Sequence, residues 1–139
     1  MFKVTQEVSE EFVKTQLCNA FEGGSNYWAK NIDYCLPKGI DISEFREGGV
    51  RQGDKYWHWS QLIPLVEGCE VLIEDDVQRH EMQSDDYVLS LDREKIQRGL
   101  QVMNDKFPEH WNSAHDGGGD GWTGDVFLQC CLFGDVIYG

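Results

Sequence analysis

Apolar residues recur at helical spacing in three stretches, and short apolar or alternating runs lie between them. Phe12, Val13, Leu17 and Phe21 fall near the 3.6-residue period. Ser9 precedes them with a hydroxyl that can cap orphan amides, and Glu10 and Glu11 suit the positive end of a helix. This predicts a helix from residue 10 that closes at Gly23 and Gly24. Residues 26–36 are rich in aromatics and stop before Pro37, which predicts a strand. Residues 37–55, broken by Gly39, Gly48, Gly49 and Gly53, read as an ordered surface excursion with one helical turn. Residues 56–59, with three aromatics in four positions, suit a strand or an aromatic platform. The apolar run 62–66 contains Pro64, so it reads as edge or irregular structure.

Residues 70–74 and 87–91 predict two strands of an antiparallel hairpin with a long polar loop. Asp92 is a fitting N-cap for a helix carrying Ile96, Leu100, Met103 and Phe107, and Pro108 bounds it. Gly117, Gly118 and Gly119 mark a loop. Asp120 or Thr123 then caps a last helix with Val126, Phe127, Cys130, Cys131 and Phe133, closed by Gly134. Residues 136–138 suit a short final strand. The order predicts one α+β domain over residues 1–139, an antiparallel sheet with helices packed mainly on one face. Its expected buried set is Val13, Leu17, Phe21, Leu72, Val88, Ile96, Leu100, Met103, Val126, Phe127 and Cys130.

Charge narrows the function classes. Asp plus Glu number 25 against 12 Lys plus Arg, a net −13 that repels phosphate. Direct binding to nucleic acid or an anionic membrane is therefore not expected. No apolar stretch approaches the ~20 residues a spanning helix needs. Residues 2–7 are too polar for a secretion signal, which points to a cytoplasmic location. The five cysteines include no C-x-x-C pair and are expected as reduced thiols, most of them packed as small hydrophobes.

The densest acidic run is Glu67, Glu70, Glu74, Asp75, Asp76, Glu81, Asp85, Asp86, Asp92 and Glu94, against only Arg79 and Arg93. Carboxylates spaced along a surface can imitate duplex phosphates and occupy a basic groove on another protein. The plain alternative is a solvated hairpin. The expected binding residues are Glu70, Glu74, Asp75, Asp76, Glu81, Asp85 and Asp86, with Trp57 and Trp59 as aromatic anchors.

Three further constellations compete. His110, His115, Asp116, Asp120 and Asp125 surround the glycine loop and could hold a divalent metal, as in a small metal-dependent hydrolase. Their spacing fits no zinc signature, and Asp120 and Asp125 have an easier role as helix-start residues, with His110 expected beside Trp111 against the preceding helix. No catalytic residue, metal or cofactor is assigned on these grounds. Nucleophile motifs are absent from the sequence; Cys130 and Cys131 read as inert, and His58 as either a base or an outward strand residue. Finally, Tyr27, Trp28, Tyr56, Trp57, Trp59, Trp111 and Trp122 could stack a nucleobase, with amides of Gly23, Gly24 and Ser25 meeting a phosphate. Lys30, Lys38, Arg46, Arg51 and Lys55 flank these rings. That alternative is a small-molecule binder sequestering a nucleotide signal.

Two strings stand out. Residues 20–28 read AFEGGSNYW, and the C-terminal part runs through KFPEHW to TGDVFLQ and LFGDVIYG. Together they resemble the opening and the C-terminal signature of a family of small uncharacterised bacteriophage and prophage proteins. The resemblance covers the two ends of the chain and carries no catalytic residues. It implies a phage accessory protein in the host cytoplasm, of a kind that often counters host defences. With no catalytic constellation assigned from the residues, the expected function is non-enzymatic binding and inhibition of a host defence component. A basic or nucleic-acid-binding host protein is the partner that the acidic charge favours.

Overall fold

The computed structural model describes residues 1–45, 51–52, 55–56, 58–82 and 84–139. Helix α1 (Glu10–Asn19) starts where Ser9 Oγ accepts from the Phe12 amide at 3.1 Å. It then widens into a π turn over Ala20–Gly24, so its regular part ends before the two glycines. Strand β1 (Ala29–Cys35) follows, then a 3-10 turn at Ile42–Phe45 and a small hairpin of β2 (Arg51–Gln52) and β3 (Lys55–Tyr56). Helix α2 (Trp59–Leu62) begins at His58, whose Nδ1 accepts from the Ser60 amide while Gln61 reaches back to the His58 amide. Those reciprocal bonds start a helix at Trp59, where residues 56–59 were expected as a strand or an aromatic platform. A 3-10 turn at Ile63–Leu65 holds Pro64, and β4 (Glu70–Asp75) comes next.

The long loop of the hairpin holds α3 (Asp76–Glu81) and a 3-10 turn at Asp85–Tyr87, before β5 (Val88–Leu91). Three helices complete the chain: α4 (Arg93–Lys106), α5 (Pro108–His115) and α6 (Gly121–Phe133). Asp92 caps α4 through the Lys95 amide at 2.9 Å, Asp120 caps α6 through the Thr123 amide at 2.9 Å, and Gly134 ends α6 in the left-handed region at φ 70°. Pro108 bounds α4 as expected but also opens α5, which the apolar pattern did not predict; proline at the first helical position loses no bond. Residues 136–138 form no strand. They are held as an irregular tail by Gln129, described below.

The three long strands pair in the order β1-β4-β5, antiparallel throughout, and helices pack against this sheet as an α+β single domain. A bulge between Lys30 and Asp33 carries Asn31 at φ 50°, with its side-chain Nδ2 donating to Glu74 Oε2 at 2.7 Å. Asparagine tolerates that backbone better than most residues. Val71, Ile73 and Asp75 of β4 face inward with Leu91, all fully buried. Leu72 and Val88, expected in the core, therefore lie on the opposite face: Leu72 is half-buried and Val88 is 39% exposed. Apolar residues at 71, 72 and 73 hide the two-residue period, and pairing decides which set turns in.

Helix α6 is the centre of the domain. Its residues 123–131 are all buried, and it packs against α1, α4 and α5. The close approaches are made at glycines. A Cβ on Gly99 of α4 would sit 2.3 Å from Cys131 Sγ, one on Gly124 2.7 Å from the Ala20 amide nitrogen, and one on Gly24 1.8 Å from the Gly121 carbonyl. Phe21 and Leu100 pack on this core half-buried; the other expected core residues, apart from Leu72 and Val88, are buried. Burial pushes the Cys130 thiol up to about 12 and the Cys131 thiol well above its ordinary value, so neither is a ready nucleophile.

Alanine in a helix interior is ordinarily better than glycine by ~1 kcal/mol. The α4–α6 contact reverses that sign at Gly99: Gly99→Ala should cost about 1–3 kcal/mol in equilibrium unfolding. Gly23→Ala, with nothing within 4 Å of the new methyl, should be close to neutral.

Candidate functional site: an acidic groove with an apolar floor

The N-terminal ends of α1 and α4 lie beside the turn that enters β4, and a groove of about 590 Å³ opens between them. Its floor is apolar: Val13, Cys69 and Ile96 are buried, and Leu65 and Leu100 are half-buried. Among the described residues its charged lining comprises Glu10, Glu67, Glu70, Asp92 and Glu94, with Arg93 as the one cation. Five carboxylates against one guanidinium leave a formal −4. Glu10, Asp92 and Glu94 stand at helix starts, where the positive end of each helix favours their negative charge. Arg93 is spent locally: it donates to the Leu65 carbonyl at 2.6 Å and meets Glu10 at 3.4 Å. Burial, with Glu44 and Cys35 adding to it, pushes the Cys69 thiol up, so the floor is chemically quiet.

The acidic run is thus divided. Glu67, Glu70, Asp92 and Glu94 meet at the groove, joined by Glu10 from a remote part of the chain. Glu74 sits towards the far end of β4, bonded to Asn31 and 3.7 Å from Arg79. Asp76 faces His80 at 3.7 Å, Glu81 is exposed at the end of α3, and Asp86 accepts from Ser84. Asp85 lies in the turn that follows. Asp75 corrects the expectation of a surface contact. It is fully buried, its Oδ1 caps α3 through the Val77 and Gln78 amides, and its Oδ2 accepts from the Tyr138 hydroxyl at 2.7 Å. Trp59 is half-buried against Tyr34, and Trp57 lies outside the described residues.

Of the residues around the glycine loop, His110, Asp116 and Asp120 line a second cavity, while His115 and Asp125 do not line it. Asp120 caps α6, as its spacing predicts. His115 stacks on Phe12 at 4.2 Å, and desolvation pushes its pKa down. His110 packs edge-on against Trp122 of α6 at 4.6 Å, a partner that its place in the sequence did not predict. The second cavity, of about 470 Å³, lies beside that pair. Among the described residues, no three His, Cys, Asp or Glu side chains are grouped to hold a metal ion.

Asp125 points inward, to the opening motif of the chain. Its Oδ1 accepts from Ser25 Oγ and Trp28 Nε1, each at 2.8 Å, and its Oδ2 accepts from the Tyr27 hydroxyl at 2.6 Å and Gln129 Nε2 at 3.0 Å. Gln129 Oε1 in turn accepts from the Ile137 and Tyr138 amides. Trp28 is fully buried and Gly24 is pressed on Gly121, so these parts of the supposed nucleotide pocket are occupied by packing. The residues of both family-like strings therefore meet in one buried polar network. Spacing along the chain carried no sign of it. Comparison of the chain with family models, with curated proteins and with solved structures finds no match. Among the described residues, no helix is long and apolar enough to cross a membrane.

The network has a signature at high pH. Desolvation, then the neighbouring carboxylates, pushes Tyr27 and Tyr138 up from 10 to about 12. The folded chain thus holds these protons more tightly than the unfolded chain. Their contribution is complete below pH 10 and is lost as pH rises from 10 to 12. Urea unfolding across that window should show falling stability, and Tyr27→Phe with Tyr138→Phe should flatten the fall while lowering stability at neutral pH.

Proposed function

We propose that the chain is a non-enzymatic binding protein that captures a basic partner in the acidic groove. The observation that carries this reading is the pairing of an apolar floor with a formal −4 lining. Such a surface complements a segment that presents aliphatic or aromatic side chains beside Lys or Arg. The charge steers the encounter and the floor supplies contact area once water leaves. With the net −13 of the chain and its phage-like ends, the reading becomes a phage accessory protein. It acts in the host cytoplasm by occupying a basic, nucleic-acid-binding surface of a defence component. The acids of α3 and the turn after it extend the negative field beyond the groove without sharing its floor.

The test is capture from bacterial lysate at low salt, followed by measurement of the retained protein's affinity against ionic strength. The reading expects a basic protein whose binding weakens steeply with salt. Glu67→Gln with Glu94→Gln should weaken it about tenfold. Glu109→Gln with Asp116→Gln, in the second cavity, should leave it unchanged. Capture of no basic protein, or affinity indifferent to both salt and the groove acids, would contradict it.

A further inference from the structure

The chain enters α1 through an irregular arm, exposed over residues 1–7, that carries apolar side chains. Phe2 and Val4 are 99% and 95% exposed, with Lys3 between them. Two apolar side chains almost wholly in solvent offer contact area that a second surface can bury. The arm joins the body at two points. Val8 packs on the core and lines the acidic groove, and Gln6 accepts from Trp111 Nε1 of α5 at 3.3 Å.

We propose that residues 2–5 of one copy dock into the acidic groove of a second copy, reciprocally, so that two chains exchange arms. The proposal uses the groove reading above and names an occupant for it. Complementarity is explicit: Lys3 meets the carboxylates of Glu67, Glu70 and Glu94, while Phe2 and Val4 meet the floor formed by Leu65, Ile96 and Leu100.

Geometry selects a second copy over the same chain. No residue of α5 lines the groove, so the bond from Trp111 to Gln6 leads the arm away from its own groove. A return would require a sharp reversal within residues 2–5, which hold no glycine, proline or asparagine. Val4 and Thr5 are β-branched and favour extended backbone, which suits reaching across to a neighbour. Reciprocal docking closes as a two-fold dimer and doubles the buried area relative to one arm. An arm seated in the groove also has to be displaced by any foreign basic partner, so self-association regulates access to the site.

Sedimentation equilibrium of the 139-residue chain tests this at about 100 μM, where a weak interface is populated. The wild type should sediment as a dimer. Phe2→Ser with Val4→Ser should be monomeric, and both positions are exposed, so the fold is not at risk. Glu67→Lys with Glu94→Lys, also at exposed positions, should be monomeric too. Mixing the arm variant with the groove variant should restore a one-armed heterodimer, since one chain keeps its groove and the other its arm. A monomeric wild type, including one whose arm folds onto its own groove, would overturn the proposal. A dimer that persists in the arm variant would overturn it equally. None of these readings depends on a host partner, so failure of the capture experiment leaves the dimer standing or falling by itself.

Discussion

The structure depends on one buried carboxylate. Asp125 is 4% exposed within the most deeply buried helix, and Ser25, Tyr27, Trp28 and Gln129, which donate to it, are all neutral. Burying a charge is costly unless hydrogen bonds replace water, and each bond to a charged acceptor contributes about 1.5–3 kcal/mol. That requirement fixes what must surround α6. Ser25, Tyr27 and Trp28 have to arrive from the segment after α1, so that segment cannot drift. Gly24 and Gly124 have to lack side chains, because the backbones approach closely there. Gln129, one turn further along, bonds the same carboxylate and holds the tail through the Ile137 and Tyr138 amides. Tyr138 carries the connection to Asp75 at the end of β4.

This frame explains where the groove lies. The network ties α6 to the segment that follows α1 and, through the tail, to the central strand. The outer ends of α1 and α4 remain free to present their first turns to solvent. Acids belong at those first turns on local grounds, since they complement the helix ends. Bringing two such ends beside the turn before β4 gathers the acids over one apolar floor. A groove of this kind needs no special motif. It follows from two helix starts meeting beside the turn that enters β4.

The parts of the fold that local chemistry governs were legible in the sequence. Ser9, Asp92 and Asp120 cap the helices they precede, and Gly134 closes the last one, because each acts within one turn of itself. The α+β arrangement and the antiparallel hairpin followed from the order of periodic segments. What depended on distant partners was not legible. Asp125 looked like a helix-start acid or a metal ligand, since its partners Ser25, Tyr27 and Trp28 stand about a hundred residues earlier. Asp75 looked like one more member of a surface run, yet the strand alternation turns it inward. Glu10 could not be joined to Glu67 and Glu94 from spacing, because only the packing of α1 beside α4 brings them to one groove.

The most direct test of the central claim is equilibrium unfolding of Asp125→Asn, read together with hydrogen exchange at the Tyr138 amide. An asparagine turns its amide hydrogens towards one pair of buried donors, whichever way it lies. The account predicts a loss of about 2–5 kcal/mol, together with faster exchange at Tyr138 as the tail loosens. A variant within about 0.5 kcal/mol of wild type, the size of an ordinary surface substitution, with Tyr138 still protected, would contradict the claim that this carboxylate organises the fold.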